Sequence, residues 1–201
     1  MTIKKKAQLL LSVLFALSIT LSGFSIAQAD APAPDPEQAA FEIDFMKDMI
    51  DHHASAVVMA EICLKRAVHE KLRALCQQML TDQTHEIEVM QEWLSDWYGI
   101  DYRPRLSGSE RKMMSPLLRH QGDEFEMHFM HMMIMHHSMA IEMSQMCLDM
   151  AYHPELISLC GNIIATQSAE IEQMEIWLCE WYDHCDGGHH KHMGLNRALL
   201  A

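Results

Sequence analysis

The chain repeats a short set of side chains that can bind metal ions. Met-Ile-x-His-His occurs at residues 49–53 and again at 133–137. Each copy is followed by Gln-x-x-Glu-Ile-Glu-x-Met-x-x-Trp-Leu-x-x-Trp-Tyr, which begins at Gln83 and at Gln167. Imidazole and thioether donors suit soft or borderline metals, and thioethers favour Cu(I) or Ag(I) over Zn(II), Mg(II) or Ca(II). The repeat therefore predicts two equivalent sites rich in His and Met.

These motifs belong to a longer internal duplication. Residues 45–98 align with residues 129–182 at a constant offset of 84, without a gap, and 24 of the 54 aligned positions are identical. A unit that repeats its His, Met and Glu together with its apolar positions indicates a paired scaffold that carries a repeated polar site.

Apolar side chains at helical spacing predict two pairs of long helices. Pro36 suits the start of the first helix, because it follows a good N-cap residue and Pro fits the first helical position. The resulting antiparallel hairpins occupy about residues 36–98 and 122–184, and the linker 99–121 has room for a short helix. Because one hairpin alone cannot bury its apolar faces, the duplication predicts an all-α four-helix bundle made of two hairpins.

Two cysteine pairs indicate the register of each hairpin. Cys63 and Cys76 lie equally far from one turn, and Cys147 and Cys160 from the other. Facing residues of an antiparallel pair have a constant index sum, here 139 for the first hairpin and 307 for the second. A disulfide across each hairpin is then geometrically reasonable.

The same register brings the repeated polar and sulfur side chains to one level of each hairpin. In the first unit His53 faces Glu86 and Met49 faces Met90. The corresponding residues of the second unit are His137, Glu170, Met133 and Met174. An imidazole beside two thioethers favours Cu(I), with the carboxylate either a ligand or an acceptor for the other ring nitrogen. Core packing of the methionines around a structural His–Glu pair is the alternative interpretation.

The outer face of the third long helix carries a second group of candidate ligands. In the first unit this face is expected to be solvated and consists of Asp44, Lys47, Asp48, Asp51 and Ser55. The equivalent residues of the second unit are His128, His131, Met132, Met135 and Met139. Core packing does not require such a replacement, so this methionine–histidine face either binds metal or is buried against another surface.

The two ends of the chain are expected to lie outside the domain, which would occupy residues 30–184. Residues 1–29 have a basic start, a short apolar stretch and a small-x-small cleavage motif, which predict an export signal. Residues 185–201 are predicted to form a flexible His-rich tail, whose candidate ligands are His189, His190, His192 and Met193. Cys179 and Cys185 could close a local disulfide or supply thiolates.

The composition agrees with an exported metal-binding protein. The chain has 19 Met and 14 His among 201 residues, and six Cys that suit an oxidising compartment such as the periplasm. Loss of the three lysines of the signal changes the formal charge from −13 to −16. Such a chain repels nucleic acid and anionic lipid and attracts cations. No stretch after the signal is apolar enough to span a bilayer, so no stable membrane association is expected after signal removal.

At these residues the chain resembles a known family. Met-Ile-x-His-His-x-x-Ala followed by Gln-x-x-Glu-Ile-x-x-Met-x-x-Trp-Leu is similar to the motif of domain-of-unknown-function family 305, over residues 40–100 and 122–184. The resemblance implies a ferritin-like bundle of helical hairpins and, for the exported CopM-like members, copper binding and copper resistance. It places the family's signature positions at His52, His53, Glu86, Met90, His136, His137, Glu170 and Met174.

The sequence therefore predicts an exported, non-enzymatic protein that binds copper, chiefly as Cu(I), with Ag(I) as a surrogate. Its expected role is to sequester Cu(I) or to hand it to a copper efflux or acceptor protein, in copper resistance or homeostasis. One alternative is a cuprous oxidase or another ferritin-like metalloenzyme, although no His follows a Glu by three residues, as di-iron bundles require. The other alternative is a metal-free module with a Met-rich docking face.

Overall fold

The computed structural model describes residues 31–185, which fold into four long helices and two short ones. The elements are α1 (Pro36–Arg66), α2 (Glu70–Tyr98), α3 (Gly108–Met114), a 3₁₀ helix (Ser115–Leu118), α4 (Gly122–Met150) and α5 (Pro154–Tyr182). The predicted all-α architecture of two helical hairpins is confirmed, and the described part of the chain contains no strand. None of its helices is long and apolar enough to cross a membrane. The expected export signal at 1–29 and residues 186–201 of the expected tail lie outside the described residues.

The long helices begin and end where local chemistry favours it. The side chain of Asp35 accepts a hydrogen bond from the backbone N–H of Glu37 at 2.8 Å, and Pro36 occupies the first turn of α1. At the end of α2, Gly99 adopts the left-handed conformation with φ of 66°. The equivalent residue after α5 is Asp183, which adopts the same conformation with φ of 59°. Both hairpins therefore end in the same backbone geometry despite different residues.

Disulfides join the two helices of each hairpin at the predicted register. Cys63 bonds to Cys76 and Cys147 bonds to Cys160, with Cα–Cα distances of 6.2 and 6.3 Å. Both pairings confirm the expectation from the cysteine spacing. A third disulfide joins the cysteine pair at 179 and 185, which settles the choice that the sequence left open.

A buried carboxylate of the second hairpin closes the turn of the first. Glu126 on α4 has no exposed surface, and it accepts hydrogen bonds from the backbone N–H groups of Val68 and His69 at 2.6 and 2.8 Å. Its other oxygen lies 2.6 Å from Nδ1 of His69 and accepts a hydrogen bond from the hydroxyl of Tyr182. Helix α2 has no side-chain cap of its own at His69. The N-terminus of α2 is thus capped from the other hairpin.

Glu42 on α1 closes the turn of the second hairpin in the same way. It accepts hydrogen bonds from the backbone N–H groups of Tyr152 and His153 at 2.7 and 2.8 Å and from the hydroxyl of Tyr98 at 2.5 Å. Burial alone would raise the pKa of Glu42, but the hydrogen bonds from Tyr98, His153 and Tyr152 lower it overall. These reciprocal contacts require α1 and α4 to be antiparallel, so an approximate two-fold axis relates the hairpins.

Two apolar clusters fill the bundle, one toward each end. One joins the turn end of the first hairpin, including Leu72, to the open end of the second, including Phe129. The other joins the turn end of the second hairpin, including Leu156, to the open end of the first, including Phe45. Polar residues near the middle of α1 and α4 lie between these clusters, so the candidate site is held between two packed cores.

Candidate metal centre

Four histidines form a buried layer between the two apolar clusters. His52 and His53 come from the middle of α1, and His136 and His137 come from the middle of α4; we call them the histidine layer. His53, His136 and His137 are buried, and both ring nitrogens of His52 are shielded from solvent. Each of the two antiparallel helices contributes one pair of adjacent histidines, so the layer receives imidazoles from both of its sides.

Each hairpin pairs one layer histidine with a glutamate across its own two helices. Nε2 of His53 lies 2.6 Å from Oε2 of Glu86, and Nε2 of His137 lies 2.7 Å from Oε2 of Glu170. The index sums predicted both pairs, and these contacts confirm them. An ionised carboxylate only accepts, so the neutral ring donates through Nε2 and carries its lone pair on Nδ1.

Five other ring nitrogens of the layer have no hydrogen-bond partner. Nδ1 of His53, His136 and His137 and both ring nitrogens of His52 are buried and unpaired. An unsatisfied buried polar group costs about 1–3 kcal/mol, so several in one place require an explanation. A lone pair on one ring nitrogen, with the other held by a carboxylate, is the arrangement in which histidine binds a metal. The layer therefore fits a metal ion chemically.

His52 and His136 meet at the approximate two-fold axis. They are equivalent under the offset of 84, and their ring centroids are 3.6 Å apart. The hydroxyl of Ser55 donates to the backbone oxygen of His52 at 2.8 Å, so it accepts from Nε2–H of His136 at 2.7 Å. These tilted rings are too close to hold one ion between them without separating. His53 and His137 are therefore the better primary ligands.

The imidazoles of His52 and His136 are both held in the neutral form. Burial, with the neighbouring rings of His53 and His137, lowers the pKa of His52 to about 3. Burial also lowers the pKa of His136 well below its usual value, and the rings of His52, His137 and His53 add to this effect. A neutral ring does not repel a cation, so the layer can receive one at ordinary pH.

We expect the metal-free protein to lose stability as the pH falls from about 6.5 to 4.5. The unfolded chain binds protons at His52 and His136 in this range while the folded chain does not, so the free energy of unfolding falls with pH. For His52 alone the loss is about 2 kcal/mol at pH 5, from an unfolded pKa near 6.5. Denaturant unfolding at several pH values, with a metal chelator present, should show this fall in the free energy of unfolding. The double variant His52→Ala/His136→Ala should show a smaller fall. If the free energy of unfolding falls equally with pH in the double variant and in the exposed control His85→Ala, the pH dependence does not come from His52 and His136.

The thioethers predicted to lie beside these histidines are fully buried. Met49 and Met90 belong to one apolar cluster and Met133 and Met174 to the other, each with no exposed surface. They flank the histidine layer from both sides. Two buried amides, Gln83 and Gln167, were not assigned to the site from the sequence, yet they also carry unpaired polar atoms. Their recurrence in both units at the start of the Gln-x-x-Glu motif was the available signal.

The methionine–histidine face of α4 lies outside this layer. Met135 and Met139 are 70% and 45% exposed, and Met132 is half buried. His128 is exposed, and its ring stacks on that of His120 with the ring centroids 4.1 Å apart. His120 was not among the ligands predicted from the sequence. The exposed His131 packs near His184 instead. The face is therefore separate from the layer and divided into smaller groups.

Two expectations about exposure were wrong. Ser55 was expected on a solvated face, but it is 1% exposed, because the antiparallel contact of α1 with α4 buries it against His136. The tail was expected to be flexible from residue 185. Cys185 is nevertheless tied to the end of α5 by its disulfide with Cys179. Neither contact can be predicted from the periodicity of the sequence. The predicted ligands at 189–193 lie outside the described residues.

A cavity of about 430 Å³ leads from the surface to His52. Its lining combines carboxylates, aromatic rings and thioethers: Phe41, Asp44, Phe45, Asp48, Asp51, His52, Glu110, Met143 and Met146. Burial raises the pKa of Asp48, and the neighbouring Asp44 and Asp51 raise it further. Carboxylates at the mouth attract cations. Within residues 31–185, no three His, Cys, Asp or Glu side chains form a ready metal cage, so thioethers would have to contribute.

The sequence and the fold match known proteins along most of the chain. The profile of the family described as Domain of unknown function (DUF305) matches residues 42–178 and 126–198. The structure of CopM in its Cu(I)-bound form is 33% identical and covers 70% of this chain and 97% of CopM, with a TM-score of 0.63. Its Cu(II)-bound form is 32% identical with the same coverage and TM-score. CopM has also been solved with silver bound.

A second solved protein supports the same match. A DUF305 fragment from Deinococcus radiodurans is 28% identical and covers 74% of this chain and 97% of the fragment, with a TM-score of 0.61. No curated protein sequence matches the chain.

Proposed function

Since the chain belongs to the family described as Domain of unknown function (DUF305), we propose that it is an exported copper-binding protein. It sequesters Cu(I) or hands it over through clusters of Met and His, and so contributes to copper resistance or homeostasis. It acts in the periplasm, to which the signal at residues 1–29 directs it.

The observation that carries this proposal is the set of unpaired ring nitrogens in the histidine layer. Nδ1 of His53 and Nδ1 of His137 are buried without partners, while a glutamate holds the opposite nitrogen of each ring. Unpaired polar atoms in a packed core destabilise the folded protein. A metal ion bound at Nδ1 satisfies them and uses the carboxylate to orient the ring.

The donors near these nitrogens favour copper in the cuprous state. Met49 and Met90 lie at the level of His53 in the hairpin register, and their neutral, soft sulfur atoms are shielded from water. Cu(I) and Ag(I) prefer such ligands, whereas Zn(II), Mg(II) and Ca(II) prefer harder or charged ones. The second hairpin repeats this arrangement with Met133 and Met174 around His137. One Cu(I) per hairpin is the expected content of the bundle.

The cavity at His52 supports capture from solution. Its carboxylates, together with the net charge of the chain, raise the local concentration of cations. Met143 and Met146 line the same cavity and can bind a soft ion on its way to the layer. This arrangement suits a protein that takes up and releases metal ions better than it suits a closed catalytic site. Cuprous oxidase activity is the enzymatic alternative, and oxygen consumption coupled to turnover of Cu(I) would support it.

Exposed methionines favour one further role, the docking of an acceptor protein. Met135, Met139, Met146 and Met150 of α4 are between 45% and 70% exposed. Methionine side chains adapt to different partner surfaces. A copper efflux or acceptor protein that contacts this helix could take Cu(I) directly from the chain.

Anaerobic native mass spectrometry of the purified chain tests the proposal. We expect tight binding of Cu(I) and of Ag(I) in the presence of a competing chelator, and no binding of Zn(II) in the histidine layer. The three ions should be compared with and without residues 186–201, because the His-rich tail adds sites of its own. Absence of any tight Cu(I) binding by the bundle would refute the proposed function.

A further inference from the structure

The two rings at the centre of the histidine layer are held differently, although their positions are equivalent in the duplication. The hydroxyl of Ser55 accepts from Nε2–H of His136 at 2.7 Å, and His136 is 2% exposed. The residue of the second unit that corresponds to Ser55 is Met139, whose side chain has no hydroxyl. Both ring nitrogens of His52 are without a hydrogen-bond partner, and His52 also lines the cavity of about 430 Å³. His136 is thus fixed in the layer, whereas no hydrogen bond keeps the ring of His52 from turning toward the cavity.

Two thioethers of α4 line the same cavity as His52, which we call the His52 cavity. They belong to Met143, which is half-buried, and to Met146, which is 56% exposed. Residues three apart lie on the same face of a helix, so both sulfur atoms can approach one ion. The corresponding residues of the first unit, Met59 and Ile62, pack in and against an apolar cluster instead. The fold therefore does not require two thioethers beside a cavity at these positions.

The donors of the His52 cavity suit a soft monovalent ion better than a harder one. Cu(I) and Ag(I) bind well to neutral sulfur and to imidazole, whereas carboxylates suit harder ions. Asp44 and Asp48 also line the cavity, so their charges attract cations without having to bind them. Within residues 31–185, no three His, Cys, Asp or Glu side chains are placed to hold a metal ion, and every cysteine is in a disulfide. A site in this cavity must therefore use the thioethers.

We propose that His52, Met143 and Met146 form a separate capture site for Cu(I), from which His52 passes the ion to the histidine layer. The next ring of the layer is that of His53, whose centroid is 6.1 Å from that of His52. Unlike His53, His52 has no glutamate to orient its ring, and such a partner raises metal affinity by about 10–100-fold. The capture site is therefore the weaker one and releases its ion to the layer. The inference rests on the proposed binding of Cu(I), to which it adds a site and an order of filling.

Methyl NMR of the purified full chain, isotope-labelled at the methionine methyl groups and titrated with Ag(I) nitrate, tests the capture site. A thioether that binds Ag(I) shifts the signal of its own methyl group, so each methionine reports separately. Met143→Leu and Met146→Leu each remove one signal and thereby identify it. We expect these two signals to shift at Ag(I) concentrations about 10–100-fold higher than those that shift the signals of Met49 and Met133 in the layer sites. The signal of Met113, which is 44% exposed but does not line the cavity, should not shift at these concentrations.

Two histidine variants test the part that His52 plays. His52→Ala should raise the Ag(I) concentration that shifts the signals of Met143 and Met146 at least about tenfold, because it removes the imidazole of the site. His136→Ala opens a similar gap at the symmetry-related position, and in this variant the two signals should shift as in the parent chain. In the metal-free protein, nitrogen NMR of the histidine rings should show His136 with its proton on Nε2 only and His52 as a mixture of both tautomers.

The outcomes separate this site from the proposed function. If Ag(I) shifts the layer signals but shifts those of Met143 and Met146 no earlier than that of Met113, the capture site is excluded while metal binding in the layer stands. If His52→Ala and His136→Ala change the shifts of Met143 and Met146 equally, His52 has no special part and the inference is overturned. If Met143 and Met146 bind Ag(I) in a chain whose layer binds none, the proposed function fails alone.

Discussion

Replacement of both His53 and His137 by alanine is expected to abolish tight Cu(I) binding in the bundle, with a loss in affinity of roughly 100-fold or more. These rings offer the Nδ1 atoms that are buried without a partner, and each is oriented by a glutamate at 2.6–2.7 Å. The thioethers that remain are neutral and cannot form the same site without an imidazole. Anaerobic competition against a Cu(I) chelator measures the change.

Two comparisons make this prediction specific. Glu86→Gln/Glu170→Gln keeps the ligands but weakens their orientation, so it should lower the affinity by about 10–100-fold. His85→Ala, one residue from Glu86 but exposed, should bind Cu(I) like the parent chain. Added Ag(I) should raise the Tm of the parent, because ligand binding stabilises the folded state, and should not raise that of His53→Ala/His137→Ala. Equal Cu(I) affinity in parent and double variant would exclude the histidine layer as the site.

Replacement of Glu126 by alanine is expected to lower the free energy of unfolding by about 3 kcal/mol or more, because it removes a buried and fully paired carboxylate. The change leaves two backbone N–H groups and the hydroxyl of Tyr182 without their acceptor. It also removes a negative charge from the N-terminus of α2, where the helix dipole favours one. Urea unfolding of the metal-free chain with its disulfides intact measures the loss.

Neighbouring and symmetry-related residues supply the controls for this experiment. Glu124 lies half a turn away on α4, but its side chain is 73% exposed and pairs with His120 at 3.2 Å. Glu124→Ala should therefore change stability by less than about 1 kcal/mol. Glu42→Ala removes the equivalent contacts of the second turn and should cost as much as Glu126→Ala. A small effect of Glu126→Ala, similar to that of Glu124→Ala, would show that capping between the hairpins does not stabilise the bundle.

Much of each hairpin could be predicted from the sequence because its contacts are local or are repeated. Helical spacing predicted the long helices, and a Pro after Asp35 marked the start of α1. The index sum from Cys63 and Cys76 predicted that His53 would face Glu86, since a short turn leaves little freedom in register. The resemblance to the family agrees with this architecture, and the matched profile and solved structures confirm it.

Contacts between the hairpins could not be predicted in this way. Nothing in the periodicity of α1 shows that Ser55 turns toward His136, because this contact depends on how two separate helices cross. The same holds for Glu42, whose acidic side chain near a helix start is typical of an exposed residue but is buried against a distant turn. The position of His184 depended on a disulfide whose formation the sequence left undecided.

The reciprocal closure of the two turns has a consequence for how such a chain could arise. Neither half is complete alone, since each depends on a glutamate of the other half to cap the N-terminus of its second long helix. A polypeptide of half this length would need to assemble as a homodimer. Because its two subunits would have the same sequence, their outer faces would carry the same side chains. Fusion of the two copies into one chain allows their sequences to differ. The outer face of α1 could then stay acidic while the outer face of α4 acquired histidine and methionine. The two sides of a once symmetric bundle could in this way come to differ.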